Sequence, residues 1–154
     1  MFKSKNILRV LVSTLALSAM VGCAGQPYQP RADMESVPEL AGAWYQVYFD
    51  SEGSTIDERG RMIVKTVADV AENNGPTRVS VIGKTDRVGT KSENMVLSRQ
   101  RADVVRDALI AAGVPAGHID TSWTGENRQE VATANNVSEQ GNRVVDITVL
   151  KLSR

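Results

Sequence analysis

The sequence predicts an α/β domain of the two-layer α+β type, in which helices pack on a four-stranded mixed sheet. Segments whose apolar residues alternate, as in strands, are interleaved with segments whose apolar residues recur every three or four positions, as in helices. The order along the chain is β-α-β-α-β-β, with glycine or proline at several boundaries. An order of this kind predicts helices packed on one mixed sheet.

The first strand and the first helix follow one another directly. In "WYQVYFD" the residues Tyr45, Val47 and Phe49 fall on one face, which predicts a strand. A helix face comes next, formed by Ile56, Gly60, Ile63, Val67 and Val70. Asp57 is a suitable N-cap for this helix, and the pair Gly75-Pro76 predicts its end.

The other four elements lie in the second half of the chain. "RVSVIG" predicts the second strand, and a second helix is predicted from about Ser92 to Ala112, ended by Gly113 and Pro115. The inward residues of this helix are expected to be Leu97, Val104, Val105, Ala108 and Leu109. "HIDTSW" predicts a third strand and "RVVDITVL" a fourth, with Val145, Ile147 and Val149 on one face.

Residues 1–22 are predicted to be a lipoprotein signal peptide rather than part of the fold. Three cations precede an apolar run, Val10 to Val21, which ends in small residues. The run is too short to span a bilayer as a helix, which needs ~20 apolar residues. A buried core helix is the alternative, and it is disfavoured because it would begin at residue 7, among three cations at the start of the sequence.

The single cysteine, Cys23, ends "MVGC", which resembles a bacterial lipobox even though Met20 replaces the usual Leu. The resemblance implies lipidation of Cys23, and Ala24 rather than Asp after it implies transfer to the outer membrane. Residues 23–43 contain three prolines and no long apolar run, and predict a flexible tether reaching on the order of 60 Å. Residues 44–154 are predicted to form one domain.

The charge of the chain gives no reason to expect nucleic acid as a partner. Without residues 1–22 there are 15 Lys and Arg against 18 Asp and Glu, a net charge of −3. Gly83-Lys84-Thr85 resembles the end of a phosphate-binding loop. The full motif needs a glycine five positions before Gly83, where Arg78 stands, so nucleotide binding is not predicted.

The stretch "GKTDRVGTKSENMVLSRQRA" resembles the signature of OmpA-like peptidoglycan-binding domains, which also occur in peptidoglycan-associated lipoproteins. The family pattern is roughly G-H-T-D-x-x-G followed by N-x-x-L-S-x-x-R-A. The matched residues are Gly83, Thr85, Asp86, Gly89, Asn94, Leu97, Ser98, Arg101 and Ala102. "NRVV" near the last strand is similar to the family's N-R-R-V, so the resemblance extends from about Tyr45 to Leu150.

The resemblance implies that the ligand is diaminopimelate in the peptidoglycan stem peptide, whose side-chain end carries both an ammonium and a carboxylate. The family's matching residues imply that Asp86 takes the ammonium and that Arg101 grips the carboxylate in two parallel bonds, which Lys could not reproduce. The alternative is that these two residues form a structural ion pair closing the loop.

Four further residues are candidates for the diaminopimelate-binding site. Thr85 could offer its hydroxyl or its backbone N–H, or be only a strand-end residue. Asn94 could bond the ligand or cap the second helix. Arg143 could contact the ligand or brace the loop before the last strand, and Asp50 is a turn residue with a weaker claim.

Three residues depart from the family pattern. Lys84 stands where the family usually has His, Val144 replaces the second Arg of N-R-R, and Glu139 falls near a frequent Arg. Together they predict a less basic rim around the site and a changed affinity for the anionic stem peptide.

The sequence predicts neither an enzyme nor a cofactor or metal site. His118 is the only histidine and Cys23 the only cysteine, which leaves no soft-ligand set and no nucleophile with a nearby base. The resemblance therefore implies an outer-membrane lipoprotein on the periplasmic side that binds peptidoglycan and ties the membrane to the wall. An alternative implied function is an interaction module for envelope proteins such as Tol components.

Overall fold

The computed structural model describes residues 42–51 and 53–152 of the 154-residue chain. The predicted signal peptide, Cys23 and nearly all of the predicted tether lie outside the described residues. Within the described ranges, no helix is long and apolar enough to cross a membrane.

The described residues form six main elements in the predicted order β-α-β-α-β-β. They are β1 (Ala43–Tyr48), α1 (Glu58–Asn73), β2 (Thr77–Lys84), α2 (Lys91–Ala111), β3 (Ile119–Gly125) and β4 (Val144–Lys151). Two short 3-10 helices, Ala116–His118 and Gln140–Asn142, precede β3 and β4 and have no counterpart in the prediction. The predicted fold class is confirmed, with boundaries that differ by a few residues.

The sheet of the described residues has four strands in the order β1-β4-β2-β3. β4 is antiparallel to both of its neighbours, with Val145 opposite Val47 and Ile147 opposite Val81. β2 and β3 run parallel, so the sheet is mixed as predicted. The parallel pair places the ends of β2 and β3 at the same edge of the sheet, next to the loop that carries Asp86.

Capping side chains mark the starts of both helices, and glycines follow their ends. The carboxylate of Asp57 accepts a hydrogen bond of 2.6 Å from the N–H of Gly60, as its predicted capping role requires. At the start of α2, Thr90 and Glu93 form a reciprocal capping box. Gly75 and Gly113 adopt positive φ just after the two helices, which confirms the predicted stops.

The hydrophobic core lies between the helices and one face of the sheet. Its fully buried members include Val47, Val67, Val79, Val81, Val105, Leu109 and Ile147. Three residues predicted to face inward from α2, namely Leu97, Val104 and Ala108, are only half-buried. The buried stripe of α2 is centred instead on Ala102, Val105 and Leu109, with Ser98 and Arg101 extending it toward the end of β2.

Gly83 is required because α2 crosses β2 at this point with almost no space between them. A Cβ atom at position 83 would lie 2.0 Å from the carbonyl oxygen of Ser98 and 3.1 Å from the Cβ of Ala102. The glycine that resembles part of a phosphate loop therefore serves close helix–strand packing.

We expect Gly83→Ala to lower the free energy of unfolding by about 3 kcal/mol, near the upper end for overpacked cores, because the clash is with helix backbone. Urea denaturation followed by circular dichroism measures this. Gly117→Ala is the matched control, since a Cβ atom at this position would meet no atom within 4 Å outside its own local stretch of chain. Equal stability of the two variants would contradict the close packing.

Candidate ligand-binding site

Asp86 lies just beyond the end of β2, and the residue is only 4% exposed. Its Oδ2 atom accepts hydrogen bonds from Arg143 Nη1 at 3.0 Å and from the Ser138 hydroxyl and the Glu139 N–H at 3.3 Å. From the described residues, Oδ1 receives one bond, 3.3 Å from the N–H of Val88. One oxygen is therefore saturated and fixed in place, while the other keeps capacity to accept from a ligand.

Asp86 borders a groove of about 390 Å³ between the start of α2 and the loops that follow β2 and β3. The lining residues are Ser51, Asp86, Val88, Gly89, Glu93, Asn94, Leu97 and Ser138. Among these described residues are two carboxylates and neither Lys nor Arg. Hydrogen bonds from the backbone N–H of Thr90, which has the larger effect, and from its side chain lower the pKa of Glu93. The groove therefore suits a cation.

Arg101 does not pair with Asp86 and does not line the groove; its side chain is fully buried. Its Nε donates to the carbonyl of Gly53 at 2.9 Å, and its Nη2 donates to those of Asp50 at 2.7 Å and Ser51 at 3.2 Å. Nη1 donates to the carbonyl of Lys84 at 3.3 Å. The alternative of a structural Asp86–Arg101 ion pair is therefore wrong, because the guanidinium is taken up by backbone carbonyls.

The charge of Arg101 is maintained in this buried position. Burial lowers its pKa to about 10, against a smaller raising effect of the Asp86 charge and a lowering effect of Arg143. The guanidinium lies over the Phe49 ring, 5.3 Å from the centroid, which adds a favourable contact. Its predicted role as a ligand for a carboxylate stays a prediction, and it requires some of the carbonyls to give way to the ligand.

Arg143 forms the ion pair with Asp86 and braces the loop before β4. Besides Asp86, its Nη1 reaches the Ser138 hydroxyl at 2.8 Å and its Nε donates to the carbonyl of Phe49 at 3.2 Å. Nη2 donates to the side chain of Gln140. Of the two roles left open for Arg143, the structure shows the bracing one.

The other three candidates differ in how they meet the groove. The N–H of Thr85 is taken by the carbonyl of Gly125 at 3.0 Å, and its buried hydroxyl has no partner among the described residues. Asn94 is not the cap of α2, which is Thr90; it is buried, lines the groove and donates to Glu126 at 2.8 Å. Asp50 is exposed, and it contributes its carbonyl to Arg101 rather than its side chain to the site.

Two of the three residues that depart from the family pattern lie away from the groove, and their predicted effect on affinity stays a prediction. Lys84 is buried and paired with Glu130 and Asp146, and Val144 is fully buried. Neither side chain reaches the groove. Glu139 does lie beside Asp86, to which its N–H donates, while its carboxylate accepts from the N–H of Gly141 at 3.0 Å.

Ser138 and Glu93 line the groove but were not among the predicted site residues. Ser138 lies 52 positions from Asp86 in a loop without periodicity, so no local pattern connects the two. Glu93 was detectable, because Thr90-x-x-Glu93 is a capping-box pattern that places both residues at the helix start. Within the described ranges, no group of three or more His, Cys, Asp or Glu side chains could hold a metal ion.

Comparison with known proteins finds a matching family and similar relatives for this chain. The sequence profile of the OmpA family matches residues 48–143. The chain is 39% identical over 106 residues to the probable lipoprotein YiaD of Escherichia coli, covering 69% of this chain and 48% of that protein. It is 28% identical over 143 residues to the peptidoglycan-associated lipoprotein of Pasteurella multocida, covering 90% and 95%.

Solved structures agree on the fold. The peptidoglycan-associated lipoprotein from Burkholderia pseudomallei superposes with a TM-score of 0.63 at 24% identity, over 68% of this chain and 88% of that one. The OmpA-like domain of FopA1 from Francisella tularensis gives 0.62 at 20% identity, over 73% and 75%. The chain spans about half the length, or less, of several curated relatives that it matches.

Proposed function

Because the chain belongs to the OmpA family, we propose that it binds peptidoglycan non-covalently through the diaminopimelate of the stem peptide. The observation that carries the proposal is the groove beside Asp86, whose described lining residues include two carboxylates and neither Lys nor Arg, while Arg143 braces the buried Asp86 carboxylate from outside that lining. Relatives named as peptidoglycan-binding or peptidoglycan-associated proteins support peptidoglycan as the ligand. No catalytic function is part of the proposal.

The ammonium of diaminopimelate is proposed to bind Asp86. An ammonium has three donors and no acceptor, and Oδ1 of Asp86 keeps acceptor capacity toward such a group. Because Oδ2 is already fixed by three donors, the carboxylate needs little reorganisation when the ligand arrives. Charge-assisted bonds of this kind are about twice as strong as neutral ones.

The carboxylate of diaminopimelate is proposed to bind Arg101, in exchange for carbonyls of the segment that follows β1. Three of the four carbonyls that Arg101 holds belong to Asp50, Ser51 and Gly53, at the end of the groove marked by Ser51. A ligand carboxylate would offer the guanidinium a stronger, bidentate partner. Asn94 and the hydroxyl of Thr85 are proposed to add hydrogen bonds, while Arg143 holds Asp86 from behind.

The envelope location is proposed from the sequence ahead of the described residues. Lipidation of Cys23 would hold the protein to the outer membrane, and residues 24–43 would let the domain reach the wall in the periplasm. Two or three acyl chains hold firmly where one does not. The proposed function is thus a link between outer membrane and peptidoglycan.

The test uses the lipid-free chain, residues 24–154, sedimented with purified diaminopimelate-type sacculi. We expect the protein to pellet with the sacculi and to be released by the soluble tripeptide L-Ala-γ-D-Glu-meso-diaminopimelate. The same tripeptide with L-lysine in the third position lacks the side-chain carboxylate and should release much less. Failure to pellet contradicts peptidoglycan binding, whereas equal release by both tripeptides contradicts the role of diaminopimelate.

Envelope proteins such as Tol components are a further predicted class of partner, and they would use a surface other than the groove. Crosslinking in cells separates the two interactions when a variant that does not bind sacculi is included. Partners retained by the variant bind the protein directly, and partners lost with it reach the protein through the wall.

A further inference from the structure

A cluster of three charges, two of them buried, lies on the sheet face that points away from the helices. Val79 and Val81 of β2 point into the core, so strand alternation places Lys84 on the opposite face. The ammonium of Lys84 is bonded to Asp146 of β4 at 2.6 Å and to Glu130. Asp146 also accepts a bond of 3.0 Å from the amide of Gln46 in β1.

Glu130 belongs to the segment between β3 and β4, residues 126–143, here called the β3–β4 loop. This loop supplies three of the groups that hold the Asp86 carboxylate, namely the Ser138 hydroxyl, the Glu139 N–H and the Arg143 guanidinium. The orientation of Asp86 therefore depends on where the β3–β4 loop lies.

A continuous set of contacts connects Lys84 with Arg143. Lys84 holds Glu130, and the next residue, Val131, is bonded to the buried side chain of Asn142 through both its N–H, at 2.9 Å, and its carbonyl, at 2.7 Å. Asn142 directly precedes Arg143. The contacts thus run from Glu130 to Arg143 through one neighbour on each side.

We propose that Lys84, with Glu130 and Asp146, positions the β3–β4 loop and thereby sets the Asp86 carboxylate for its ligand. What that ligand is rests on the proposed function. Buried ion pairs add little stability compared with apolar packing, whereas they can specify one arrangement, and this cluster ties a long loop to two central strands. Lys84, one of the residues that depart from the family pattern, thus acts on the site from the sheet face opposite the helices.

The charge of Lys84 is permanent in the physiological range. Burial works to lower its pKa, but the hydrogen bonds and charges of Asp146 and Glu130 outweigh burial and raise it above the usual value. The contribution of a raised lysine is fully present below its unfolded pKa and is lost only as the pH rises through the folded one. The ammonium of Lys84 that contacts the loop therefore stays charged across neutral pH.

The first variant to test is Glu130→Gln in the lipid-free chain, because Glu130 is partly exposed and its loss leaves the Lys84–Asp146 pair intact. By analogy with outer-shell partners of metal ligands, we expect about a tenfold loss of affinity for the diaminopimelate tripeptide, measured by calorimetry. The matched control is Arg78→Gln. Arg78 lies near the start of β2 and forms an exposed ion pair with Asp120 at 3.1 Å, so its loss should leave affinity unchanged.

Two further measurements separate positioning from simple stability. Ser138→Ala removes one bond to Asp86, and if Glu130 acts through the loop its effect on affinity should be less than additive with that of Ser138→Ala. Lys84→Met with Asp146→Asn removes both buried charges together, and this variant should fold and bind as weakly as Glu130→Gln. Additive losses, or wild-type affinity in Glu130→Gln, would overturn the proposal.

A nuclear magnetic resonance measurement without ligand tests the positioning role of Glu130 independently of peptidoglycan binding. The Nε–H resonance of Arg143, which donates to the carbonyl of Phe49, should shift in Glu130→Gln and stay unchanged in Arg78→Gln. An unmoved resonance overturns the positioning role whether or not the wild type binds peptidoglycan. A wild type that fails to bind the tripeptide, with the resonance shifted as expected, overturns only the assigned ligand.

Discussion

Replacing Arg101 with Met lowers the free energy of unfolding by about 4 kcal/mol, since hydrogen bonds to a charged donor contribute about 1.5–3 kcal/mol each. Four backbone carbonyls lose their donor at once, among them those of Asp50, Gly53 and Lys84. Partial hydration of the segment after β1 reduces the loss below the simple sum. Urea denaturation followed by circular dichroism gives the value.

Arg106→Met is the matched control, because Arg106 lies on the same helix and forms half-exposed ion pairs with Asp103 and Asp107. Exposed pairs contribute about 1 kcal/mol or less, so this variant should stay close to the wild type. An Arg101→Met protein as stable as Arg106→Met would mean that the guanidinium does not hold the carbonyls. Because Arg101 variants lose stability, a loss of binding in such a variant reflects impaired folding as well as any lost ligand contact.

Asp86→Asn is the variant expected to affect binding most strongly. The side chain keeps its size and one acceptor, but it loses the charge that the ammonium needs. Removing one partner of a buried charge pair costs about 2–5 kcal/mol, so affinity for the diaminopimelate tripeptide should fall about 100-fold. Calorimetry measures the affinity, and circular dichroism verifies that the variant is folded.

Asp120→Asn removes an exposed carboxylate far from the groove and should bind like the wild type. Sedimentation with sacculi should give the same order, with Asp120→Asn in the pellet and Asp86→Asn in the supernatant. A folded Asp86→Asn protein that pellets as well as the wild type would refute the assignment of this groove as the binding site.

Hydrophobic periodicity predicted the fold because a two-layer domain needs one buried face on each element. The alternation of Val145, Ile147 and Val149 and the caps at Asp57 and Gly113 are local signals, and each is confirmed. On α2, Val105 and Leu109 are buried as predicted, and Val104 and Ala108 pack against the core. The buried stripe also extends to Ser98, Arg101 and Ala102, which was not predicted because it depends on how closely the helix approaches Gly83. That distance is a tertiary property.

The contacts of the candidate site residues were less predictable than the fold. Asp86 and Asn94 both line the groove, and their binding of a ligand stays a prediction, while the ion-pair partner of Asp86 is Arg143 rather than Arg101. No local pattern tells which of two distant arginines reaches a given carboxylate, because the β3–β4 loop has no periodicity. The sheet face on which Lys84 lies can be predicted from the sequence, because successive residues of a strand point to opposite faces and Val79 and Val81 face the core.

The most direct test is a crystal structure of the lipid-free chain with L-Ala-γ-D-Glu-meso-diaminopimelate. We predict the side-chain ammonium of diaminopimelate in the groove, within about 3 Å of the Asp86 carboxylate, as charge-assisted hydrogen bonds require. A tripeptide bound elsewhere on the domain, with the groove beside Asp86 left empty, would contradict the assignment.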